Sequence, residues 1–436
     1  ITGLLGFLLL MGLERMLQPR AVDGLYFQSW SSEAFMQTVP IQNLRDAPLE
    51  TLLNIHIQPP AFDALRAVLV RFASGPGIHT QLKQVDHRIY YIWAAVYALL
   101  GSLLFLWIED LTTAWFAFPA ALLFLLHPAS ILYATLLDTT LLTAVLILWA
   151  YYLLWQAQDN SGAPVGWLIV SVLALFFTRS LFQWPFVLVF AVCLWLLGTT
   201  RRRVLTFVLI TGVVAGLWMA KQYAQFGILS TSSLTGINLS RSVGILDREN
   251  RRVDRQAHEA SGLPAVLQNR WKTGHRVNLN HNSYLDLNQR LMDRYQAYML
   301  SAPVGDLTRA YLFNLHLYLR PSSAYEDNVI VSWLPWRSVY DSIFSFPVLP
   351  GLLLVAGILT LLRMFRERTY RSTAALLIPA ALILLISVVS ERGENHRFKF
   401  FLEPVLYVFI LSEFWRLGVH LRQKARKAPS LRPGWI

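Results

Sequence analysis

Long apolar blocks without a single charged residue recur along this chain, for example 91–108, 141–155 and 350–362. They restrict the fold more than any other feature. A helix needs roughly 20 apolar residues to cross the hydrocarbon of a bilayer, and within it the backbone must satisfy its own hydrogen bonds, which helices do. Of the 436 residues, 55% are hydrophobic and 15% charged, whereas globular domains carry about 25% charged residues. An ordinary soluble enzyme is excluded. The pattern predicts an all-α polytopic membrane protein of about ten transmembrane helices, near 1–13, 89–108, 112–127, 138–155, 165–178, 181–198, 204–221, 342–362, 373–390 and 400–418. The first begins at isoleucine and is short, so the start of this helix is expected to precede the numbered chain. A signal peptide is the rival reading of 1–13, but no small-residue cleavage site follows in Gly12-Leu13-Glu14-Arg15-Met16. Blocks 112–155 and 165–198 exceed one span, and we divide them at His127-Pro128 and Thr178-Arg179, where proline ends a helix and arginine at a hairpin tip meets water.

Charge then orients the spans. Arg201 to Arg203, the run Arg363, Arg366, Arg368 and Arg371, and the tail from Arg416 to Arg432 all fall on one face. Short basic loops mark the cytoplasmic side. Most of the net charge of +12 is thereby assigned to topology, and no nucleic-acid partner is required. The opposite side holds two long, nearly neutral segments, 14–88 and 223–341, and nine of the ten histidines, only His420 lying inside. Function is therefore expected to face the extracytoplasmic side of a plasma (inner) membrane. Three parts follow: an N-terminal transmembrane module over 1–222, an extracytoplasmic loop domain over 223–341, and C-terminal helices with a basic tail over 342–436. The one cysteine, Cys193, permits no intrachain disulfide.

The outward segments carry the polar chemistry. Asp23 follows the first span, and Asn54-Ile55-His56-Ile57-Gln58-Pro59-Pro60 leads into a stretch with apolar Phe62, Leu65, Val68, Leu69 and Phe72. That spacing predicts an amphipathic helix lying in the membrane interface, with Arg66 and Arg71 off its apolar stripe. Helices are expected near 284–299 and 304–319, with a loop-like polar stretch at 247–282, an acidic turn at Tyr325-Glu326-Asp327-Asn328, and Trp333 and Trp336 as interfacial anchors. The turn Glu391-Arg392-Gly393-Glu394-Asn395-His396-Arg397-Phe398-Lys399 is more polar than a connection between spans needs. Walker, dinucleotide, His-Glu-x-x-His and Gly-x-Ser-x-Gly motifs are absent. Arg179, Arg397 and Lys399 could instead hold a lipid phosphate at headgroup level. A carboxylate would then take the proton of an acceptor hydroxyl, with phosphate as a leaving group that needs no acid.

Four places resemble the GT-C superfamily of membrane glycosyltransferases, which includes protein O-mannosyltransferases, lipid A aminoarabinose transferases and mycobacterial mannosyl- and arabinosyltransferases. They are Asp23, the turn His56 to Pro60, the block His127-Pro128 through Tyr133 to Asp138, and Glu394 to Phe398. A weaker likeness is Phe226-Gly227 with Ser230 and Gly236-Ile237-Asn238-Leu239. The resemblance implies a GT-C-like fold and transfer of a sugar from a polyprenyl-phosphate donor to a glycan, lipid or protein acceptor. It implies Asp23 as base and Asp138 as a second site carboxylate, with His56, Gln58, Glu394 and His396 lining the site. Some members bind a divalent metal, for which His56, Glu394 and His396 are the candidates here. The first loop departs from the tandem acidic pair of many members, since Gly24 follows Asp23. Asp138 also reads as the cap of the following span, and Arg179 as a side chain reaching for the interface. The alternatives are a lipid-linked glycan ligase or polymerase using the arginines and histidines of 248–276, or a non-catalytic transporter or assembly subunit.

Overall fold

The computed structural model describes residues 1–17, 32–34, 37–159, 165–245, 263–273, 276–325, 331, 334–345, 347–367 and 370–427. Asp23 lies outside them, as do Trp333 and residues 326–328 of the acidic turn. Among the described residues the structure is all-α, with one isolated antiparallel bridge between Trp271 and Val277. The helices are α1 (Thr2–Leu17), α2 (Ile41–Asp46), α3 (Pro48–Leu53), α4 (Ala61–Val70), α5 (Ile78–Leu111), α6 (Ala114–Leu125), α7 (Pro128–Thr135), α8 (Thr140–Asp159), α9 (Val165–Thr178) and α10 (Trp184–Leu196). They continue with α11 (Arg201–Phe226), α12 (Thr235–Ser242), α13 (Ala265–Gln268), α14 (Ser283–Ser301), α15 (Val304–Tyr318), α16 (Arg337–Ile343), α17 (Val348–Glu367), α18 (Tyr370–Ser390) and α19 (Asn395–Lys427).

Each expected span coincides with a helix, yet fewer are both long and apolar enough to cross. Among the described residues five stretches qualify by length and composition: α5, Thr140–Ala157 of α8, α11, α17 and Thr373–Ser390 of α18. The pair α6 and α7 qualifies as a sixth if its 59° bend is one broken span, while Thr2–Leu13, α9 and α10 are shorter apolar helices. Burial separates the centre from the rim. The apolar window of α8 is 72% buried, whereas those of α11 and α17 are 17% buried. Their exposed rows, Leu205, Leu209, Val213 and Leu217 on α11 and Leu354, Ile358, Leu361 and Leu362 on α17, are apolar faces unsuited to water.

The break at His127 follows from backbone chemistry. Pro128 has no N–H to continue α6, and a helix end leaves its last carbonyls without partners. Each is met by a side chain: Tyr340 donates to the carbonyl of Leu123 at 3.0 Å, Ser130 to Phe124 at 3.0 Å, Tyr97 to Leu125, and Trp336 to Leu126 at 2.9 Å. His127 caps α7 by accepting from the N–H of Ala129 at 3.0 Å. The expected turn is thus a helix breaker, and Trp336 is tied to the bundle as well as half-buried. The second division also coincides with a break, α9 ending at Thr178 and α10 starting at Trp184.

Two of the helices fix the direction of the bundle. Trp93 in the first half of α5 donates to the carbonyl of Asp138 at 2.8 Å, and Tyr152 late in α8 donates to Asp110 at the end of α5 at 2.9 Å, so α5 and α8 run parallel. At the far end Glu413 of α19 pairs with Arg363 of α17 at 2.9 Å and with Arg416 at 3.0 Å. Arg363 and Arg416 therefore share one end of the bundle, and Asp138, Arg179 and Arg397 share the other.

The helix over 61–70 corrects an expectation. Arg66 and Asp63 are fully buried, not directed at an interface. Arg66 bonds Asp63 at 2.6 Å and the carbonyl of Val39 at 2.9 Å, and lies 3.5 Å from Glu33. Glu33 accepts from the N–H of Ile41 at 2.7 Å, and its carbonyl takes Lys272 at 3.3 Å. Burial, with Arg66 adjacent, pushes Lys272 down to about 7. A charge on each side of the interface would be costly alone, and pairing offsets it. The expected loop helices appear as α14 and α15, but segment 223–341 is stitched into the bundle at these contacts and at His56.

Candidate functional site

Three helix ends meet at the Asp138 end. Asp138 stands in the break between α7 and α8, where one carboxylate oxygen accepts from the N–H of Thr140 and the other from its hydroxyl, both at 2.8 Å. This cap is the local reason an aspartate precedes the helix. The same carboxylate also receives Nη2 of Arg397, from the first turn of α19, and lies 3.9 Å from Nη2 of Arg179, just after α9. All three side chains are more than nine-tenths buried.

Arg397 is held on every edge. Its Nε donates to Thr140 at 2.8 Å, and Nη1 donates to Tyr325 and to Glu394, each at 3.0 Å. Its guanidinium carbon sits 5.0 Å from the centre of the Tyr325 ring, a cation–π contact. Arg179 is less satisfied. It donates to Gln37 at 3.2 Å and to Thr140 at 3.3 Å, while its Nε has no partner among the described residues. Burial, then the neighbouring Arg397, pushes Arg179 down to about 10, which leaves it charged at neutral pH. Two guanidiniums and two carboxylates therefore form a nearly neutral buried group with spare donor capacity on Arg179.

The preceding turn is held by its own hydrogen bonds. Asn395 donates to the carbonyls of Ser387 at 2.8 Å and Glu391 at 2.7 Å, and accepts from the N–H of Gly393 at 3.0 Å. Gly393 has φ +110°, a conformation that favours glycine. Glu391 pairs with Arg241. Burial raises Glu391 to about 7 although Arg241 opposes it. For Glu394 burial acts upward but is outweighed by Arg397, Arg241 and Arg179, which hold it below the usual carboxylate range. Arg392 lies 4.6 Å over the Phe313 ring.

The remaining sequence candidates are distributed. Lys399 does not reach this group: its ammonium donates to the carbonyls of Arg320 and Phe344, each at 2.6 Å, and pairs with Glu403 at 3.3 Å. Those bonds use all three of its donors, which corrects its assignment to a phosphate. His56 is fully buried elsewhere, with Nδ1 at 2.7 Å from Ser233 and Nε2 at 2.9 Å from the carbonyl of Asn280. Gln58 donates to Asp63 at 3.0 Å. Both lock the loops together. No group of three His, Cys, Asp or Glu suited to a metal occurs among the described residues, so His56, Glu394 and His396 are not drawn together there. His396 itself adjoins the site, its ring 5.8 Å from that of Tyr325.

Thr140, Tyr325 and Gln37 were not anticipated. Thr140 carried a signal, a hydroxyl two residues after a capping aspartate, but the other two are brought in by tertiary folding alone. The glycine echo has a structural reading: Gly227 ends α11 at φ +69°, and a Cβ on Gly236 would collide with the Asn288 carbonyl. Comparison of the chain with protein-family models, with curated proteins and with solved structures finds no match in any of the three.

Proposed function

We propose that the chain is an integral membrane glycosyltransferase that moves a sugar from a polyprenyl-phosphate donor to an acceptor hydroxyl on the extracytoplasmic side. The observation that carries this reading is the buried meeting of Arg397 and Arg179 around Asp138, at the end of the bundle opposite Arg363 and Arg416. Burying two guanidiniums costs several kcal/mol, about what a paired carboxylate must repay, and structural stability alone does not call for a second arginine with an unused donor. An arriving phosphate monoanion supplies an acceptor for that donor. The exposed apolar rows on α11 and α17 support a membrane setting.

In this reading Asp138 orients the two arginines, and the base is Asp23, which lies outside the described residues. The Asp23 carboxylate takes the proton of the acceptor hydroxyl as its oxygen attacks the anomeric carbon. The bond from that carbon to the donor phosphate oxygen breaks, its electron pair leaves on the polyprenyl phosphate, and Arg179 and Arg397 stabilise the added charge. The configuration inverts.

The test is a panel of polyprenyl-phosphate monosaccharides with radiolabelled sugar, presented to purified protein in nanodiscs with candidate acceptors. Release of polyprenyl phosphate is expected from the wild type. Asp23→Asn is expected to lower it by at least about 100-fold, in keeping with the loss of a general base, at unchanged thermal stability. Unimpaired transfer by that variant removes Asp23 from the mechanism, and no release from any donor removes the reading.

A further inference from the structure

His396 is 4% exposed, yet neither ring nitrogen has a hydrogen-bond partner among the described residues. Buried polar groups are nearly always paired, and here a donor and an acceptor on opposite edges of one ring are both unused. The backbone here is anchored, because Asn395, the residue before His396, makes three hydrogen bonds. Burial, then Arg320 and Lys399, push the ring down to about 4, so it is neutral at pH 7. A neutral imidazole presents one N–H and one lone pair. A phosphate offers acceptors only and would leave the lone pair unmatched, and a hydrocarbon chain offers nothing. Hydroxyl groups donate and accept, so a polyol satisfies both edges.

Position narrows the ligand further. His396 and Arg397 are successive residues on α19, and Tyr325 is the wall between them: its hydroxyl takes Arg397 at 3.0 Å, and its ring faces the imidazole at 5.8 Å. His396 is thus separated from the arginine cluster by one aromatic ring, within reach of one of the two groups joined to a phosphate held there. Resting on the reading of the arginines as a phosphate site, we propose that His396 is a sugar-binding residue, hydrogen-bonding hydroxyls of the donor monosaccharide through both ring nitrogens.

The experiment measures equilibrium binding to the full chain in nanodiscs. The probes are undecaprenyl phosphate and its glucose, mannose, galactose and arabinose monophosphate conjugates. The wild type is expected to bind at least one conjugate about tenfold tighter than the bare lipid, the scale of one or two well-placed hydrogen bonds. His396→Phe is expected to erase that gain while keeping bare-lipid affinity within about twofold, and His396→Gln, whose amide retains a donor and an acceptor, to restore part of it. A gain that survives His396→Phe overturns the proposal alone. Absence of any conjugate gain in the wild type also overturns it, leaving the phosphate reading intact. Failure of the wild type to bind the bare lipid overturns the phosphate reading and this inference with it. Should His396→Phe lose the bare lipid too, the Gln variant decides: a retained sugar gain supports the role, and equal loss for both probes refutes it.

Discussion

Asp138 has two tasks that a single substitution separates. As a cap it accepts from Thr140, and as a counter-ion it holds Arg397 and Arg179. Asp138→Ala leaves the two buried guanidiniums with Glu394 as their one remaining carboxylate, so the expected loss is about 3–5 kcal/mol, read as a fall in melting temperature in nanodiscs. Asp138→Ala with Arg397→Met is expected to recover most of that stability while sugar transfer stays absent. If the double variant is no more stable than the single one, the ion pair is not what Asp138 stabilises. His56 yields a second prediction. Burial depresses it from 6.5 to about 3, with Lys221 and His281 adding in the same direction. The unfolded chain thus binds more protons between those values, and stability present above pH 6.5 is lost as the pH falls toward 3. About 2–3 kcal/mol is expected to vanish over the two pH units below 6.5, and His56→Asn, measured by melting at pH 7 and 4.5, should lose less. Equal acid sensitivity would assign the effect to other groups. Asp138, Arg179 and Arg397 were legible in the sequence because an ionisable residue flanking an apolar block is conspicuous. The role of His56 was not, since its partners Ser233 and Asn280 lie far along the chain.

At the scale of an element, the first turns of α19 carry two faces with different work. Arg397 points into the cluster, while Lys399 and Glu403, one turn apart, form a buried pair that also ties the carbonyls of Arg320 and Phe344. Lys399→Met strands Glu403 and those carbonyls, and a loss of about 3–5 kcal/mol is expected. Adding Glu403→Met should restore part of it, since a well-packed apolar pair often replaces a buried ion pair at little cost. Donor binding, measured with undecaprenyl phosphate, is expected to follow folding and not the lysine charge. A loss of that binding in the stable double variant would return Lys399 to the phosphate site. The sequence could not divide these faces: a run of basic residues before a span reads alike whether its charges meet a ligand or a carbonyl. It did place the helix breaks, because Pro128 and Arg179 act locally through a missing N–H and a charge. The α4 helix was misjudged for a related reason. Hydrophobic periodicity identifies a helix and an apolar stripe, but it cannot show that Asp63 and Arg66 neutralise each other and can be buried together.

At the scale of the whole molecule, both charge asymmetry and helix sense point to one topology, and they are independent. The first counts arginines in short loops, whereas the second follows from contacts such as Trp93 with Asp138 and Tyr152 with Asp110. Together they place Ser74, between α4 and α5, at the Asp138 end, and Thr199, between α10 and α11, at the basic end. The number of crossings was less legible than their positions. Helices α9 and α10, of 14 and 13 residues, are shorter than the about 20 a straight crossing needs, and α6 with α7 is long and apolar enough only if the bent pair counts as one span. Orientation can be read despite this. Cys193 is the only cysteine and is buried, so Cys193→Ala gives a background in which a single new thiol reports its own side. In right-side-out spheroplasts a membrane-impermeant maleimide is expected to label Ser74→Cys directly and Thr199→Cys only after permeabilisation. The Asp138 end then faces outward, where a donor presented from the outer leaflet can reach the arginines. Labelling in the opposite order would put the arginine cluster in the cytoplasm, and an extracytoplasmic transferase would no longer be tenable. Equal labelling of both thiols before permeabilisation would mean that the segment between them does not cross the membrane an odd number of times, and the pairing of helix sense with charge would fail at α5 to α10.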